Sequence, residues 1–298
     1  MNSTLRDLVT AARGRLTAAG IEPNEASLVA ALLARHVLGW DLAQLIAYET
    51  EGPPEGFAAA FEAIVSRRER REPMSSITGR REFWGLEFEV GPAVLAPRPE
   101  TEIVVEAALE CLDAAERAEV PGPPIVVDVG TGSGCLAVSL AVARPAVTVV
   151  ATDISQAALS VAARNAARHG VGDRILFRQA SLLDGVDGPV RLIVSNPPYI
   201  STRDIPGLAP EVRSWEPLEA LDGGEDGLDV VRALLADAPR VLAPGGWLIM
   251  EFGYGQQVEV EALARSSALE LVRIVNDLQQ IPRTLVARMP GSPDSATV

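Results

Sequence analysis

Apolar residues recur at helical spacing through the first quarter of the chain, then give way to short unbroken apolar runs. Leu5, Leu8, Val9, Ala12 and Leu16 share one helical face, and Gly20 closes that helix. Asn24 is placed to cap a second helix over residues 25–38, where Leu28, Leu32 and Val37 recur. Asp41 starts a short helix, Pro53-Pro54 interrupts, and Phe57, Phe61, Ile64 and Val65 mark a further apolar face. That last helix runs into Arg67-Arg68-Glu69-Arg70-Arg71-Glu72 and then Pro73. The charge run reads as a solvated helix end, with a basic patch for an acidic partner as the sharper alternative.

Phe83, Trp84, Leu86, Phe88 and Val90 then predict short strands paired as a hairpin around Gly85, and Pro92, Pro97 and Pro99 bracket the turn that follows. From Ile125 onward strand and helix alternate. Ile125-Val126-Val127-Asp128-Val129 shows no polar alternation, as expected of a parallel strand buried on both faces. Further strands are predicted at 147–151, 175–177, 192–195, 247–252, 269–276 and 284–289, with helices at 155–169, about 227–241 and about 256–266. About seven residues separate the last two strands, too few for a crossover helix, so these two pair antiparallel. The chain of 298 residues thus divides into a helical domain (1–76), a linker with the hairpin (77–98), an α/β domain (99–290) and a disordered tail (291–298).

Composition narrows the function. With 48% hydrophobic residues the chain buries a sizeable core, and a net charge of -14 argues against a general grip on a phosphate backbone. All 26 basic residues are arginine, which removes Schiff-base chemistry and a P-loop lysine. The only histidines are His36 and His169 and the only cysteines Cys111 and Cys135, which argues against a metal cluster and a Ser-His-Asp triad. Two scattered cysteines, an N-terminus without a signal-like apolar core and no membrane-length apolar run point to a soluble, cytoplasmic protein.

Three groups of residues carry candidate chemistry. Asp128-Val129-Gly130-Thr131-Gly132-Ser133-Gly134 follows the first strand of the α/β domain, where glycines permit a tight turn and close approach of a ligand to the backbone. A plain βα turn or a dinucleotide site would use the same glycines. Asp128 stands where it could meet a cationic ligand, and Asp153, with Ile154 next to it, ends a strand where a carboxylate can accept both hydroxyls of a ribose. Asn196-Pro197-Pro198-Tyr199 leaves the sheet at the carboxyl end of strand 192–195, because two prolines cannot continue a central strand. It offers an amide, free carbonyls and an aromatic ring, equipment for gripping a planar NH2 group.

Glycine loop, strand-end aspartate and Asn-Pro-Pro-Tyr together suit S-adenosylmethionine and resemble the class I methyltransferases that act on NH2 groups. Thr78-Gly79-Arg80-Arg81-Glu82-Phe83-Trp84 and Ala96-Pro97-Arg98-Pro99-Glu100-Thr101-Glu102 narrow the resemblance to the HemK/PrmC family of protein-(glutamine-N5) methyltransferases, over roughly residues 73–289. The resemblance implies a Rossmann-like, mostly parallel seven-stranded sheet with an antiparallel C-terminal strand, preceded by a helical domain that helps dock the substrate. It implies that S-adenosylmethionine lies against Asp128, Gly130, Thr131, Gly132, Ser133, Gly134, Asp153, Ile154, Ser181, Leu182 and Asn196, leaving as S-adenosylhomocysteine, with no metal. Ser181 and Leu182 stand where many methyltransferases carry an acidic residue against adenine; either can line that pocket, and Asp184 nearby either substitutes for the acidic contact or faces solvent beside a glycine-rich turn. The implied substrate is the glutamine of the Gly-Gly-Gln motif of class 1 peptide-chain release factors. Asn196, Pro197, Pro198 and Tyr199 would hold it, with Trp215 of Trp215-Glu216-Pro217 close by or serving as a loop staple. Asn196 and the Pro197 carbonyl would accept the two N–H hydrogens while Tyr199 stacks on the amide plane. A monomer without nucleic acid or membrane partners is expected. The competing readings are glutamine methylation of a ribosomal protein, adenine-N6 methylation of nucleic acid, a dinucleotide-dependent oxidoreductase, and a binding module that keeps only the fold.

Overall fold

The computed structural model describes residues 3–117 and 124–291, so the expected tail lies, apart from Gly291, outside the described residues. The chain forms two compact units. One runs to Gly79 and also takes in Ala209–Trp215; the other comprises Arg80–Leu208 and the chain from Glu216 on.

The first unit is helical: α1 (Leu5–Ala18), α2 (Pro23–Leu38), α3 (Leu42–Ala47), α4 (Phe57–Glu69) and α5 (Met74–Thr78), with α9 (Pro210–Arg213) from later in the chain. Thr4 with Asp7, and Asp41 with Gln44, form reciprocal caps that satisfy the first free N–H groups of α1 and α3. The cap of α2 is Glu22, not Asn24: the Glu22 carboxylate accepts from the Asn24 and Glu25 N–H groups, and Pro23 opens the helix. Leu5, Leu16, Leu33, Phe57 and Phe61 lie in one apolar cluster, each such side chain contributing about 1.5–3 kcal/mol by its burial. The charge run after Phe61 is neither a solvated end nor an open basic patch. Arg68 is buried between Glu25 (3.3 Å) and Glu211 (2.9 Å), Arg71 forks onto Glu211 (2.5 and 2.9 Å), Arg67 onto Glu72, and Glu69 pairs with Arg15. Ion pairs within the unit thus take up Arg67, Arg68 and Arg71, and Arg70 is the arginine of the run left exposed.

The second unit opens with the hairpin β1 (Arg80–Phe83) and β2 (Leu86–Glu89), turned through Trp84 and Gly85. Its sheet has seven strands: β3 (Ile125–Val129), β4 (Thr148–Asp153), β5 (Ile175–Gln179), β6 (Val190–Ser195), β7 (Leu242–Glu251), β8 (Glu270–Asn276) and β9 (Pro282–Arg288). The order is β5-β4-β3-β6-β7-β9-β8, and β9 runs antiparallel to both its neighbours. One face packs on α6 (Glu102–Arg117), α7 (Cys135–Ala143) and α8 (Gln156–Arg168); the other packs on α10 (Asp229–Val241) and α11 (Gln257–Ser266). That covering of both faces is why β3, and β6 from Leu192 on, show no polar alternation. α6 is not among the helices that the apolar pattern predicts. α10 begins at Asp229 rather than near 227, because Gly227 has φ +79° and cannot belong to a helix.

Register decides the site. Val129 is aligned with Thr152 and with Ser195, and Ser195 with Met250. The next residue on each strand path is therefore Gly130, Asp153, Asn196 and Glu251, one row along the carboxyl edge where open α/β sheets bind ligands.

Candidate active site

The glycine loop is stitched to that edge from several sides. The Thr131 N–H donates to the Thr152 carbonyl (2.9 Å), the Ser195 hydroxyl donates to the Val129 carbonyl (2.8 Å), and the Thr152 hydroxyl donates to the Leu182 carbonyl (2.8 Å). Asn165 of α8, fully buried, donates from Nδ2 to the carbonyls of Ser133 and Glu89 and accepts from the Glu89 N–H, tying loop end, helix and hairpin together. Gly130 (φ +69°) has open space where a Cβ would stand, whereas one on Gly134 (φ +81°) would lie 3.0 Å from the Ala162 Cβ. The first glycine keeps the ligand side bare; the last lets α7 and α8 pack.

Asp128 is buried beneath this loop. Its Oδ2 accepts from the Thr131 hydroxyl (2.6 Å) and the Ala137 N–H (3.1 Å), while Oδ1 has no partner, and burial pushes the carboxyl up to about 7. Asp153 is half-buried; Oδ2 accepts from the Gly132 N–H (2.9 Å) and Oδ1 from the Ser155 N–H (2.8 Å). Ser155 itself caps α8, accepting from the Ala158 N–H, so the aspartate is not needed as that cap. Ile154 is 55% exposed, Ser181 and Asp184 are exposed, and Leu182 is half-buried with φ +48°. An orphaned carboxylate oxygen, an anchored aspartate and an exposed apolar face suit a ligand carrying an ammonium, a ribose and a flat ring.

At the next strand end, Asn196 and Tyr199 are held by side chains that the sequence reading does not single out. Asn196 Nδ2 donates to the Thr101 hydroxyl oxygen (3.0 Å), Thr101 donates to Glu251 Oε2 (2.6 Å), and the Tyr199 hydroxyl donates to Glu251 Oε1 (3.1 Å). Asn196 Oδ1 takes no hydrogen bond from any described residue. Burial raises the Glu251 carboxyl to about 7, and burial beside that carboxylate also raises the Tyr199 hydroxyl. Pro197 is buried and Pro198 half-buried. The backbone beyond is gripped by residues 221–227. The Ile200 N–H donates to the Leu221 carbonyl (3.0 Å) and the Gly223 N–H to the Ile200 carbonyl (2.8 Å). A Cβ on Gly223 would lie 2.7 Å from the Pro198 oxygen, and one on Gly227 2.3 Å from the Tyr199 oxygen.

The stretch Arg98–Glu102 works as a bracket. Arg98 donates to both Glu216 oxygens (2.7 and 2.6 Å), Thr101 serves Asn196 and Glu251, and Glu102 accepts from the Trp84 N–H (2.8 Å). Trp215 is half-buried and closes the segment grouped with the helical unit; it is not among the residues gathered in the sheet unit. Among the described residues no three His, Cys, Asp or Glu side chains gather as a metal site needs, and no helix is long and apolar enough to cross a membrane.

Comparison with known proteins adds identity to this geometry. Residues 7–79 match the model of the PrmC N-terminal domain and residues 106–208 that of the methyltransferase small domain. A release factor glutamine methyltransferase of Cereibacter sphaeroides is 44% identical over 286 residues, 96% of this chain and 99% of that protein. A solved protein-(glutamine-N5) methyltransferase (release factor-specific) from Alicyclobacillus acidocaldarius is 34% identical, covering 68% of this chain and 99% of that one, with a TM-score of 0.41. The hMettl16 catalytic domain, solved with an MAT2A 3′UTR hairpin, shares 15% identity at a TM-score of 0.54 over 79% of this chain and 84% of that one, a likeness of fold.

Proposed function

Because the chain belongs to the release factor glutamine methyltransferase family, we propose that Asn196, Pro197, Pro198 and Tyr199 hold the glutamine side chain of the Gly-Gly-Gln motif of a class 1 release factor for methylation at N5. The observation that carries this reading is the direction of the Asn196 amide. Its NH2 is committed to Thr101, so its carbonyl oxygen is left as an open acceptor at the carboxyl edge of the sheet. An acceptor there matches a substrate NH2, which has two hydrogens to give.

Bound S-adenosylmethionine supplies an electrophilic methyl group on a sulfonium. The residues that fit it are Asp128, whose free oxygen suits the ammonium end, the bare Gly130–Gly134 backbone, Asp153 for the ribose hydroxyls, and Ile154, Ser181 and Leu182 around the adenine. The task left to the protein is orientation, since an amide nitrogen is a weak nucleophile whose lone pair is delocalised. Asn196 Oδ1 and the Pro197 carbonyl accept the two N–H hydrogens, and the Tyr199 ring, fixed through its hydroxyl, lies against the amide plane. Positioning of this kind is worth on the order of 7–11 kcal/mol. No strong base is needed beforehand, because the nitrogen's proton becomes acidic only once it carries the methyl.

Incubating a purified class 1 release factor with this protein and labelled S-adenosylmethionine should place one methyl group on that glutamine, read by peptide mass spectrometry. Label on another residue, or only on nucleic acid, would overturn the assignment. Asp153→Ala should weaken S-adenosylmethionine binding by about tenfold or more, the worth of hydrogen bonds to a charged group. Unaltered affinity in calorimetry would remove the ribose role.

A further inference from the structure

We propose that Glu251 is a positioning residue for the transfer: acting through Thr101, its carboxylate decides which end of the Asn196 amide faces the substrate. The inference rests on Asn196 as the acceptor of the substrate N–H. Glu251 ends β7, is 1% exposed, and forms no ion pair among the described residues. Thr284 stands directly opposite it on β9 with a buried hydroxyl that has no partner. Arg283, beside Thr284, is engaged with Asp277 at 3.4 Å, and Glu100, next to Thr101, adds repulsion. A carboxylate buried without a cation is costly. A glutamine or a leucine at the same place would be cheaper, so the acceptor-only character of the carboxylate is its distinguishing property.

That character propagates by elimination. An ionised carboxylate can only accept, so the Tyr199 and Thr101 hydroxyls must both donate to it. Thr101 has one hydrogen. Having given it to Glu251, its oxygen can only accept, and the group it accepts from is Asn196 Nδ2. Asn196 Oδ1 is thereby turned outward. Once Glu251 is protonated, it can donate to one of the hydroxyls; Thr101 is then free to donate to Asn196 Oδ1, and the amide turns its NH2 toward the substrate NH2. Two donors face each other and the substrate nitrogen loses its acceptor.

The sign of the pH dependence follows. Glu251 sits at about 7, so the productive ionised form dominates above neutrality and is lost as pH falls. Tyr199 stays protonated across this range, its hydroxyl held above the ordinary tyrosine value by burial and by Glu251, while Arg283 favours the ionised form of Glu251 and Glu100 opposes it. Asp128 lies near the same value, but it borders the cofactor loop, so its titration moves cofactor affinity rather than turnover at saturation.

The experiment is steady-state kinetics at saturating cofactor from pH 5.5 to 9 for the wild type, Glu251→Gln, Thr101→Val and Thr101→Ser. For the wild type, kcat should fall about tenfold per pH unit on the acid side, as one required ionisation dictates. Glu251→Gln should lose about 10- to 100-fold in kcat on the plateau and lose the acid limb, with S-adenosylmethionine affinity unchanged. Thr101→Val should match it, Thr101→Ser should restore most of the rate, and the double variant Glu251→Gln/Thr101→Val should be no worse than either single change, since both cut one chain. If Glu251→Gln folds, keeps its kcat and keeps the acid limb, the proposal is wrong; equal rates for Thr101→Val and Thr101→Ser overturn it independently. Should Asn196→Ala remain active, the reading of Asn196 fails instead, a result distinct from an active Glu251→Gln beside an inactive Asn196→Ala.

Discussion

Asn196→Ala is expected to lower kcat for glutamine methylation by about a thousandfold, the upper end of what removing one precisely aimed hydrogen-bonding group from a catalytic site costs. The substitution deletes the acceptor at the end of β6 and leaves the Thr101 oxygen without its Nδ2 donor. It leaves untouched the glycine loop and Asp153, which carry most of the cofactor contacts proposed above. S-adenosylmethionine binding should therefore persist in calorimetry while single-turnover transfer to the release factor collapses. Asn196→Asp separates acceptor from orientation. It keeps an outward oxygen, but its second oxygen faces a Thr101 hydroxyl whose only hydrogen belongs to Glu251. That unpaired oxygen costs about 1–3 kcal/mol and sets a second negative charge near a buried carboxylate. The aspartate variant should be as impaired as the alanine variant near neutral pH. An active aspartate variant would mean that any acceptor suffices there, and turnover by Asn196→Ala near the wild-type rate would remove Asn196 from the mechanism.

The parts of this site that were legible in the sequence are those that one strand end displays by itself. Glycines after β3, an aspartate closing β4 and prolines closing β6 are local signals, because a strand buried on both faces leaves a continuous apolar run and its end is marked by the first residue that breaks it. The short link before β9 likewise forced an antiparallel pair, and the structure has it. What was not legible depends on contacts between distant positions. Thr101 meets Asn196 across 95 residues, and Tyr199 meets Glu251 across 52; no periodicity encodes either. Glu251 was open to suspicion only as a carboxylate closing an otherwise apolar strand. The run from Arg67 to Glu72 misled for the same reason: its spacing gives the sign of the charge but not that Glu25, Glu211 and Arg15 wait elsewhere in the chain. Asparagine is a common cap, but at α2 the proline at the first helical position marks Glu22, the residue before it, as the cap.

Gly227→Ala should cost about a hundredfold in kcat, although residue 227 carries no functional group. Two costs arise there and they can be measured apart. The first is conformational: φ is +79°, and an L side chain in that region costs about 1–2 kcal/mol. The second is steric: the new methyl would lie 2.3 Å from the Tyr199 carbonyl oxygen and 2.8 Å from Gln256 Nε2, which donates to that same oxygen at 2.9 Å. A backbone carbonyl cannot rotate away as a flexible side chain does, so Tyr199 must move, and with it the prolines and the ring proposed above to lie against the substrate amide. A displacement near 1 Å at such a site costs on the order of a hundredfold in rate. Gly170→Ala is the control, since its φ is +67° but its methyl would meet open space; it should lose some thermal stability through strain alone and keep full activity. Gly227→Ala is expected to stay folded, to bind S-adenosylmethionine normally and to lose roughly a hundredfold in kcat. Equal activity of the two alanine variants would show that the Tyr199 backbone has slack, and that the grip of residues 221–227 on the tetrapeptide does not set its aim.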